Sequence, residues 1–317
     1  MNQAAVRASG AALLAALLWA AYYFFVFGVS ARVAPSALLF WPFALGGMAY
    51  TGVALVRGHA TTLAQLYRDP RAWLRSGMLV AMQTSVLAST FVAGAVDTSI
   101  LSLLGDVVIT PLLVMLLLRE NRELARAPAF VLGVVLAAGG GILTILAGGS
   151  PRPISGIGVL VTPAVAVSVA VYFLLSAQAG RRLPTTAVIA QSVVGGAIVS
   201  FAISPLLPGG FAGLAIGPPI DVGLVAALGV TSFCIAPLLY FDAIQRVGLL
   251  LPAVLMAAIP VFTLLLAIPL LGFLAPPVAI LGIPIAVVGA ILASRGSHTP
   301  WRTETSAPAV SGGSTDP

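Results

Sequence analysis

The chain has 317 residues, of which 60% are hydrophobic and only 8% are charged. Its mean hydropathy of +1.10 excludes a water-soluble globular protein, because a chain of this composition cannot cover its core with a polar surface. All 15 basic residues are arginines and the formal net charge is +6. Because most of them lie in short gaps between apolar stretches, they favour a lipid bilayer over a nucleic acid as the partner.

Apolar stretches long enough to cross about 30 Å of hydrocarbon occur in two groups of five. The first group covers residues 9–29, 35–56, 73–95, 98–118 and 127–147. The second group covers residues 156–178, 184–206, 221–242, 249–271 and 275–294. The polar residues 295–317 predict a disordered tail. The expected fold class is therefore an all-α integral membrane protein with ten transmembrane helices.

The arginines also predict the orientation of the chain in the membrane. If the N-terminus is cytoplasmic, 13 arginines lie on the cytoplasmic side and only Arg32 and Arg152 lie outside. Basic residues favour the cytoplasmic side of membrane proteins. We therefore expect a multi-pass protein of the cell inner (cytoplasmic) membrane with both termini in the cytoplasm.

The two groups of spans are related by an internal repeat with an offset of 149 residues. Over residues 20–48 and 111–144, we count 17 identities in 63 aligned positions, where this composition gives about one in ten by chance. The sequence thus predicts two five-helix repeats, residues 9–147 and 156–294. Because each repeat has an odd number of spans, the second enters from the opposite side, and the repeats are inverted.

One carboxylate, Asp106, lies near the middle of a predicted span, where its ionised form costs about 2.5–3.5 kcal/mol on insertion scales. Ser99, Ser102 and Thr110 share its helical face. We therefore expect Asp106 and Ser102 to bind a substrate or a proton, with Gln83 of the preceding span as a further candidate. The alternative is a protonated carboxyl that bonds a neighbouring hydroxyl only for packing.

Aromatic and hydroxyl side chains share helical faces in the first span of each half. Trp19, Tyr22 and Tyr23 do so in the first repeat, and Ser168 and Tyr172 do so in the second. Such faces suit a cavity for an organic solute, in which rings give shape and hydroxyls give orientation. The alternative is an aromatic belt at the membrane interface or simple helix packing.

Metal and nucleotide chemistry have little support in the sequence. Cys234 is the single cysteine, and the two histidines lie in a predicted loop and in the tail. No P-loop, GxSxG or HExxH motif occurs. We expect no cofactor, no metal and no enzymatic activity.

The chain resembles the EamA-type carriers of the drug/metabolite transporter superfamily over about residues 9–294. Besides the ten spans and the duplication, the resemblance rests on one aromatic, one proline and one Leu-Gly pair in each half, namely Phe91 and Tyr240, Pro111 and Pro260, and Leu132-Gly133 and Leu281-Gly282. It implies export or exchange of small metabolites, amino acids or drugs through a central cavity lined by both halves.

Together these observations predict a secondary transporter that moves a small organic solute by alternating access. A proton is a candidate coupling ion, with Asp106 as its site. Two alternatives stay open at this stage: an intramembrane enzyme acting on a lipid or peptide, and a passive channel.

Overall fold

The computed structural model of the protein describes residues 3–93, 98–99, 127–148, 156–248, 250–256, 258–271 and 277–296. Over these residues the secondary structure is helical, without a strand. The fourth predicted span, apart from residues 98–99, lies outside the described residues, as does the predicted tail from residue 297.

The helices divide between the two halves of the chain. In the first half they are α1 (Gln3–Val29), α2 (Pro35–Val56), α3 (Ala60–Leu66), α4 (Pro70–Ala93) and α5 (Pro128–Gly148). In the second half they are α6 (Gly156–Gly180), α7 (Thr185–Ile203), α8 (Pro219–Val230), α9 (Ala236–Val247), α10 (Leu250–Leu255), α11 (Ala258–Leu271) and α12 (Pro277–Gly296). Short 3₁₀ turns, Ser204–Leu206 and Ala212–Leu214, lie between α7 and α8, and a π-helical turn, Thr231–Ile235, joins α8 to α9.

Proline and glycine set many of the helix boundaries. A proline is the first residue of helices α2, α4, α5, α8 and α12. Its fixed φ suits this position, and because an N–H at the start of a helix has no acceptor within the helix, proline loses no hydrogen bond there. Helix α9 ends at Val247, and the next residue, Gly248, has a φ of 84° and donates its N–H to the carbonyl of Ile244. Only glycine adopts this left-handed backbone without strain.

Five segments of the described chain are long and apolar enough to cross a membrane: Val6–Val29, Pro35–Val56, Thr185–Leu206, Pro219–Val247 and Leu251–Leu270. They agree with the predicted membrane protein. Described helices also overlap the other predicted spans except the fourth. The count of ten spans in two inverted repeats stays a prediction.

Helices from the two halves pack against each other in pairs. Helix α2 packs on α7, α4 on α6, α1 on α9, and α5 on α12. The predicted offset relates these pairs: α2 and α7 are equivalent, as are α5 and α12, and the α4–α6 contact is equivalent to the contact between α9 and α1. The core of the molecule therefore lies between the halves.

The contact between α5 and α12 is reciprocal at atomic detail. A Cβ on Gly140 would lie less than 3.0 Å from the backbone of Gly282 and Ala286, while a Cβ on Gly289 would lie as close to the backbone of Gly133 and Ala137. The offset of 149 residues relates the two contacts, since it carries Gly140 onto Gly289, Gly133 onto Gly282 and Ala137 onto Ala286. Small residues of this kind allow membrane helices to approach backbone to backbone.

This contact predicts different effects for two adjacent glycines. We expect Gly140→Ala to destabilise the protein by about 1–3 kcal/mol, because the added methyl group meets rigid backbone and not a movable side chain. Thermal unfolding of the purified protein in detergent measures the effect. The matched control is Gly139→Ala, because nothing lies within 4 Å of a Cβ at that position; equal losses in the two variants would contradict the prediction.

Candidate functional site

The π-helical turn at Thr231–Ile235 leaves a backbone carbonyl without a partner in its own helix. Within the turn, the N–H of Ala236 donates to the carbonyl of Thr231, five residues earlier. The same register would pair the carbonyl of Ser232 with the N–H of residue 237, but Pro237 has none. π turns of this kind occur often at functional sites.

A side chain from the other half of the protein binds this carbonyl. Trp19 Nε1 of α1 donates a hydrogen bond to Ser232 O at 3.1 Å. The indole also contacts the rings of Tyr240 and Phe173, with centroids 5.3 and 5.9 Å away. Trp19 is thus fixed between α6 and α9 by one polar and two aromatic contacts.

Next to Trp19 lies a cavity, here called the central cavity, with a volume of about 70 Å³. Aromatic rings and aliphatic chains form most of its wall, with a few polar groups among them. It is lined by Trp19, Tyr22, Tyr23, Leu79, Met82, Gln83, Val86, Val169, Tyr172, Phe173, Val193, Ser232, Phe233, Pro237, Phe241 and Ile259. Because this wall combines an apolar surface with a few polar groups, it has the composition of a small-molecule site.

Five of the residues that the sequence singles out, Trp19, Tyr22, Tyr23, Gln83 and Tyr172, come together in the central cavity. Gln83 Nε2 donates a hydrogen bond to the Tyr22 hydroxyl, which joins α4 to α1. The aromatic faces predicted from helical spacing thus point to one space between the halves. Their role in binding a solute stays a proposal.

Ser168 is the described site residue that does not line this wall. Ser168 is buried, but its hydroxyl donates to the carbonyls of Ala164 and Val165 in its own helix, and the wall is formed instead by residues further along α6. Ser102 and Asp106 lie outside the described residues.

One residue of interest, Arg75, was missed by the sequence reasoning, which grouped it with the loop arginines. It lies inside α4 with only 5% of its surface exposed. The available signal was its spacing, since Arg75, Leu79 and Gln83 follow at intervals of four and share one face of the helix. Leu79 and Gln83 both line the central cavity.

A second space, here called the side cavity, has a volume of about 200 Å³. It shares Phe241 with the central cavity and is lined by Ser176, Ala177, Gly180, Arg181, Thr185, Phe241, Ile244 and Gln245. Gln245 donates to the Thr185 hydroxyl, so the last turn of α9 is tied to the first turn of α7. Phe241 thus lies between the two cavities. The side cavity lies at the end of the molecule at which α6 and α9 end and α4 and α7 begin, here called the arginine-rich end.

Contacts across the two halves also occur at the opposite end of the molecule, here called the Arg32 end. Arg32, just after α1, makes a two-pronged ion pair with Asp221 of α8, with its shortest N–O distance at 2.8 Å. The Asp221 side chain is fully buried and that of Arg32 is 52% exposed. The hydrogen bonds to Asp221 raise the pKa of the Arg32 guanidinium above its usual value. Nearby, Trp41 of α2 donates to the carbonyl of Leu214 at 2.7 Å.

Among the described residues, no three histidine, cysteine or acidic side chains come together as metal ligands would. The two described ion pairs, Arg32–Asp221 and Arg246–Asp242, both lie away from the central cavity wall.

The unpaired carbonyl in the π turn gives a prediction for Trp19. We expect Trp19→Phe to lower the free energy of unfolding by about 1–3 kcal/mol, because a buried acceptor then has no donor. Thermal unfolding in detergent measures the loss. The same substitution in a Pro237→Ala background should cost less, since the new alanine supplies the missing N–H; an equal loss in both backgrounds would show that the hydrogen bond is not its cause.

Comparison with known proteins agrees with this architecture. The profile of the EamA-like transporter family matches residues 156–295, which span the second predicted repeat. A protein solved by crystallography superposes with a TM-score of 0.70 at 23% identity, over 92% of this chain and 97% of that chain, and so shows a shared fold. No curated protein sequence matches the chain. The family match covers residues 156–295 of this multi-pass membrane protein, and it confirms the predicted resemblance to the EamA-type carriers of the drug/metabolite transporter superfamily.

Proposed function

We propose that this carrier moves a small organic solute across the cytoplasmic membrane by alternating access, as an exporter or exchanger. The observation that carries the proposal is the central cavity, whose wall is built from α1 and α4 of the first half and from α6, α7, α9 and α11 of the second. A site between two halves becomes accessible from either side when the halves move against each other.

The contacts at the two ends support an alternating mechanism. At the Arg32 end, an ion pair joins α8 to the chain just after α1, and Trp41 anchors the connection between α7 and α8. At the arginine-rich end, the side cavity approaches the central cavity as far as Phe241. With the arginine-rich end in the cytoplasm, as its charge favours, this conformation is closed to the outside.

The small volume of the central cavity bears on the solute. A space of about 70 Å³ can hold several water-sized groups, while drug-sized ligands occupy pockets of about 300–1,000 Å³. On this proposal, the cavity must therefore enlarge before it can admit a solute of that size. Trp19, Tyr22, Tyr23 and Tyr172 supply its aromatic contacts.

Asp106 is the proposed partner of a proton or of an amine. This role rests on its position in the fourth predicted span, where a carboxylate needs a proton, a partner or water. Ser102 is proposed as its neighbour on the same helical face.

The test begins with purified protein and a thermal-shift screen against amino acids, aromatic carboxylates, nucleosides, sugars and cationic drugs. A compound that binds only the folded protein raises its unfolding temperature. Proteoliposomes loaded with each stabilising compound should then accumulate its labelled form against a gradient for a short time, which is counterflow. A passive channel would give flux without counterflow, and an enzyme would consume the compound.

The same assay examines proton coupling. We expect the rate of uptake to depend on pH in the unaltered protein and to lose that dependence in Asp106→Asn. If this variant keeps both the rate and its pH dependence, Asp106 does not have the proposed role, while counterflow by the unaltered protein would still support transport.

The ion pair at the Arg32 end predicts a change in access to the cavity. In Arg32→Gln the buried carboxylate of Asp221 loses its partner, and we expect this end to open to water. The readout is labelling of a cysteine at Ser232, in a Cys234→Ala background, by an impermeant thiol reagent added outside intact cells.

We expect several-fold faster labelling in Arg32→Gln and a rate near the original in Arg32→Gln/Asp221→Asn, which has no buried charge. Arg246→Gln is the matched control, because it breaks the half-exposed pair with Asp242. Unchanged labelling in Arg32→Gln would argue that the ion pair does not hold this end closed.

A further inference from the structure

We propose that Arg75 binds the carboxylate of the transported solute, so that the central cavity takes a small, largely apolar monocarboxylate. The inference rests on the proposed transport function and names the chemical class of its solute. It follows from a buried charge, its position on α4 and the chemistry of the surrounding wall.

Arg75 is a buried cation whose hydrogen bonds are not satisfied. With 5% of its surface exposed, it holds two nitrogens, Nε and Nη2, that find no hydrogen-bond partner in the described part of the chain. An arginine keeps its charge in a protein. Burying that charge without a partner costs several kcal/mol, so a bound anion would supply interactions that the described residues do not.

Asp69, an acidic residue near Arg75 in the sequence, does not form a described hydrogen bond with its guanidinium. Asp69 acts on Arg75 electrostatically but is not among its described ion-pair partners. The Asp69 carboxylate instead accepts the backbone N–H of Arg71 at 2.9 Å, at the start of α4.

The position of Arg75 directs it toward the central cavity. It precedes Leu79 by one turn and Gln83 by two, on the face of α4 that forms the wall. Helix α4 packs on α6, which brings the wall residue Tyr172 to the same space. One turn beyond Tyr172, Ser176 is buried and lies in the wall of the side cavity. Arg75 thus lies one turn from the wall of the central cavity, on the helical face that forms it.

The chemistry of the wall selects among anions. A guanidinium offers two parallel N–H groups that match the two oxygens of a carboxylate. A single buried cation balances one negative charge, so a phosphate dianion would stay uncompensated. The rings of Trp19, Phe173 and Phe241 favour a solute whose remaining part, away from the carboxylate, is apolar. These features together fit an aromatic or branched aliphatic monocarboxylate.

The test compares three probes with the same body and different head groups: 3-phenylpropionate, 3-phenylpropionamide and 3-phenylpropylamine. Isovalerate serves as a smaller carboxylate, and inorganic phosphate as an anion without an apolar body. Binding to purified protein is measured by thermal shift and by quenching of tryptophan fluorescence. We expect the carboxylates to bind at least about tenfold more tightly than the amide and the amine, as for a charged pair in a desolvated site.

Variants then assign the preference to Arg75. In Arg75→Gln we expect the advantage of carboxylate over amide to disappear, while Arg75→Lys keeps the charge and retains part of it. The unliganded Arg75→Gln protein should be as stable as the original or more so, because a buried unpaired charge is gone; a merely structural arginine would lower stability instead. Arg71→Gln, at an exposed position one turn earlier, should bind all probes like the original.

Several results would overturn the inference. Equal binding of carboxylate and amide, or no carboxylate binding, would do so without any variant, even if Arg75→Gln failed to fold. Full carboxylate binding by a folded Arg75→Gln would do so as well. Counterflow confined to the amine would refute the carboxylate class and leave the transport function standing. Arg75-dependent carboxylate binding without counterflow of any compound would refute transport and leave the anion site standing.

Discussion

The hydrogen bond from Trp19 to the carbonyl of Ser232 joins the two halves at the point where the α8–α9 segment departs from regular helix. In an apolar medium a backbone carbonyl needs a donor from the protein, and neither Ala236 nor Pro237 can provide it, since one donates to Thr231 and the other has no N–H. The break in the helix is therefore tolerated because α1 brings an indole to it. The wall of the central cavity depends on this arrangement, which holds Phe233 and Phe241 on one side and the aromatic face of α1 on the other.

Glycine contacts give the helices their close spacing around this point. Gly46 of α2 meets the backbone of Gly229, just before the π turn, so closely that a Cβ on either would collide with the other helix. Helices α5 and α12 make the same kind of contact, because a glycine of each helix lies against the backbone of the other. Since apolar burial against lipid gives helices little reason to associate, close van der Waals contact between small residues becomes a main source of cohesion. Helices that contact each other at glycines can thus enclose a cavity whose wall consists of large aromatic side chains.

Much of the architecture was predictable because it depends on periodicity. Helical spacing placed Trp19, Tyr22, Tyr23 and Tyr172 on faces that the structure brings to one cavity. Spacing does not reveal whether a hydroxyl donates to a carbonyl of its own helix, as that of Ser168 does. Nor does it reveal whether an arginine near the end of a span is exposed or buried, and Arg75 is buried. Proline predicts a bend near Pro237, but the π register depends on which distant side chain reaches the freed carbonyl. Asp106, the residue on which the sequence argument depended most, lies outside the described residues.

Only one of the two residues in the ion pair at the Arg32 end has a charged equivalent in the other repeat. The offset of 149 carries Arg32 onto Arg181, but it carries Asp221 back onto Ala72, which has no charge to offer. Two inverted repeats, as the sequence predicts, would otherwise give two conformations of similar energy. Among the described residues, only the Arg32 end has an ion pair between the halves. On the proposed mechanism, the empty protein should therefore rest closed at the Arg32 end, and the solute must provide the interaction energy that opens it. The repeat would give the carrier its two states, and one unmatched aspartate would decide which of them is the default.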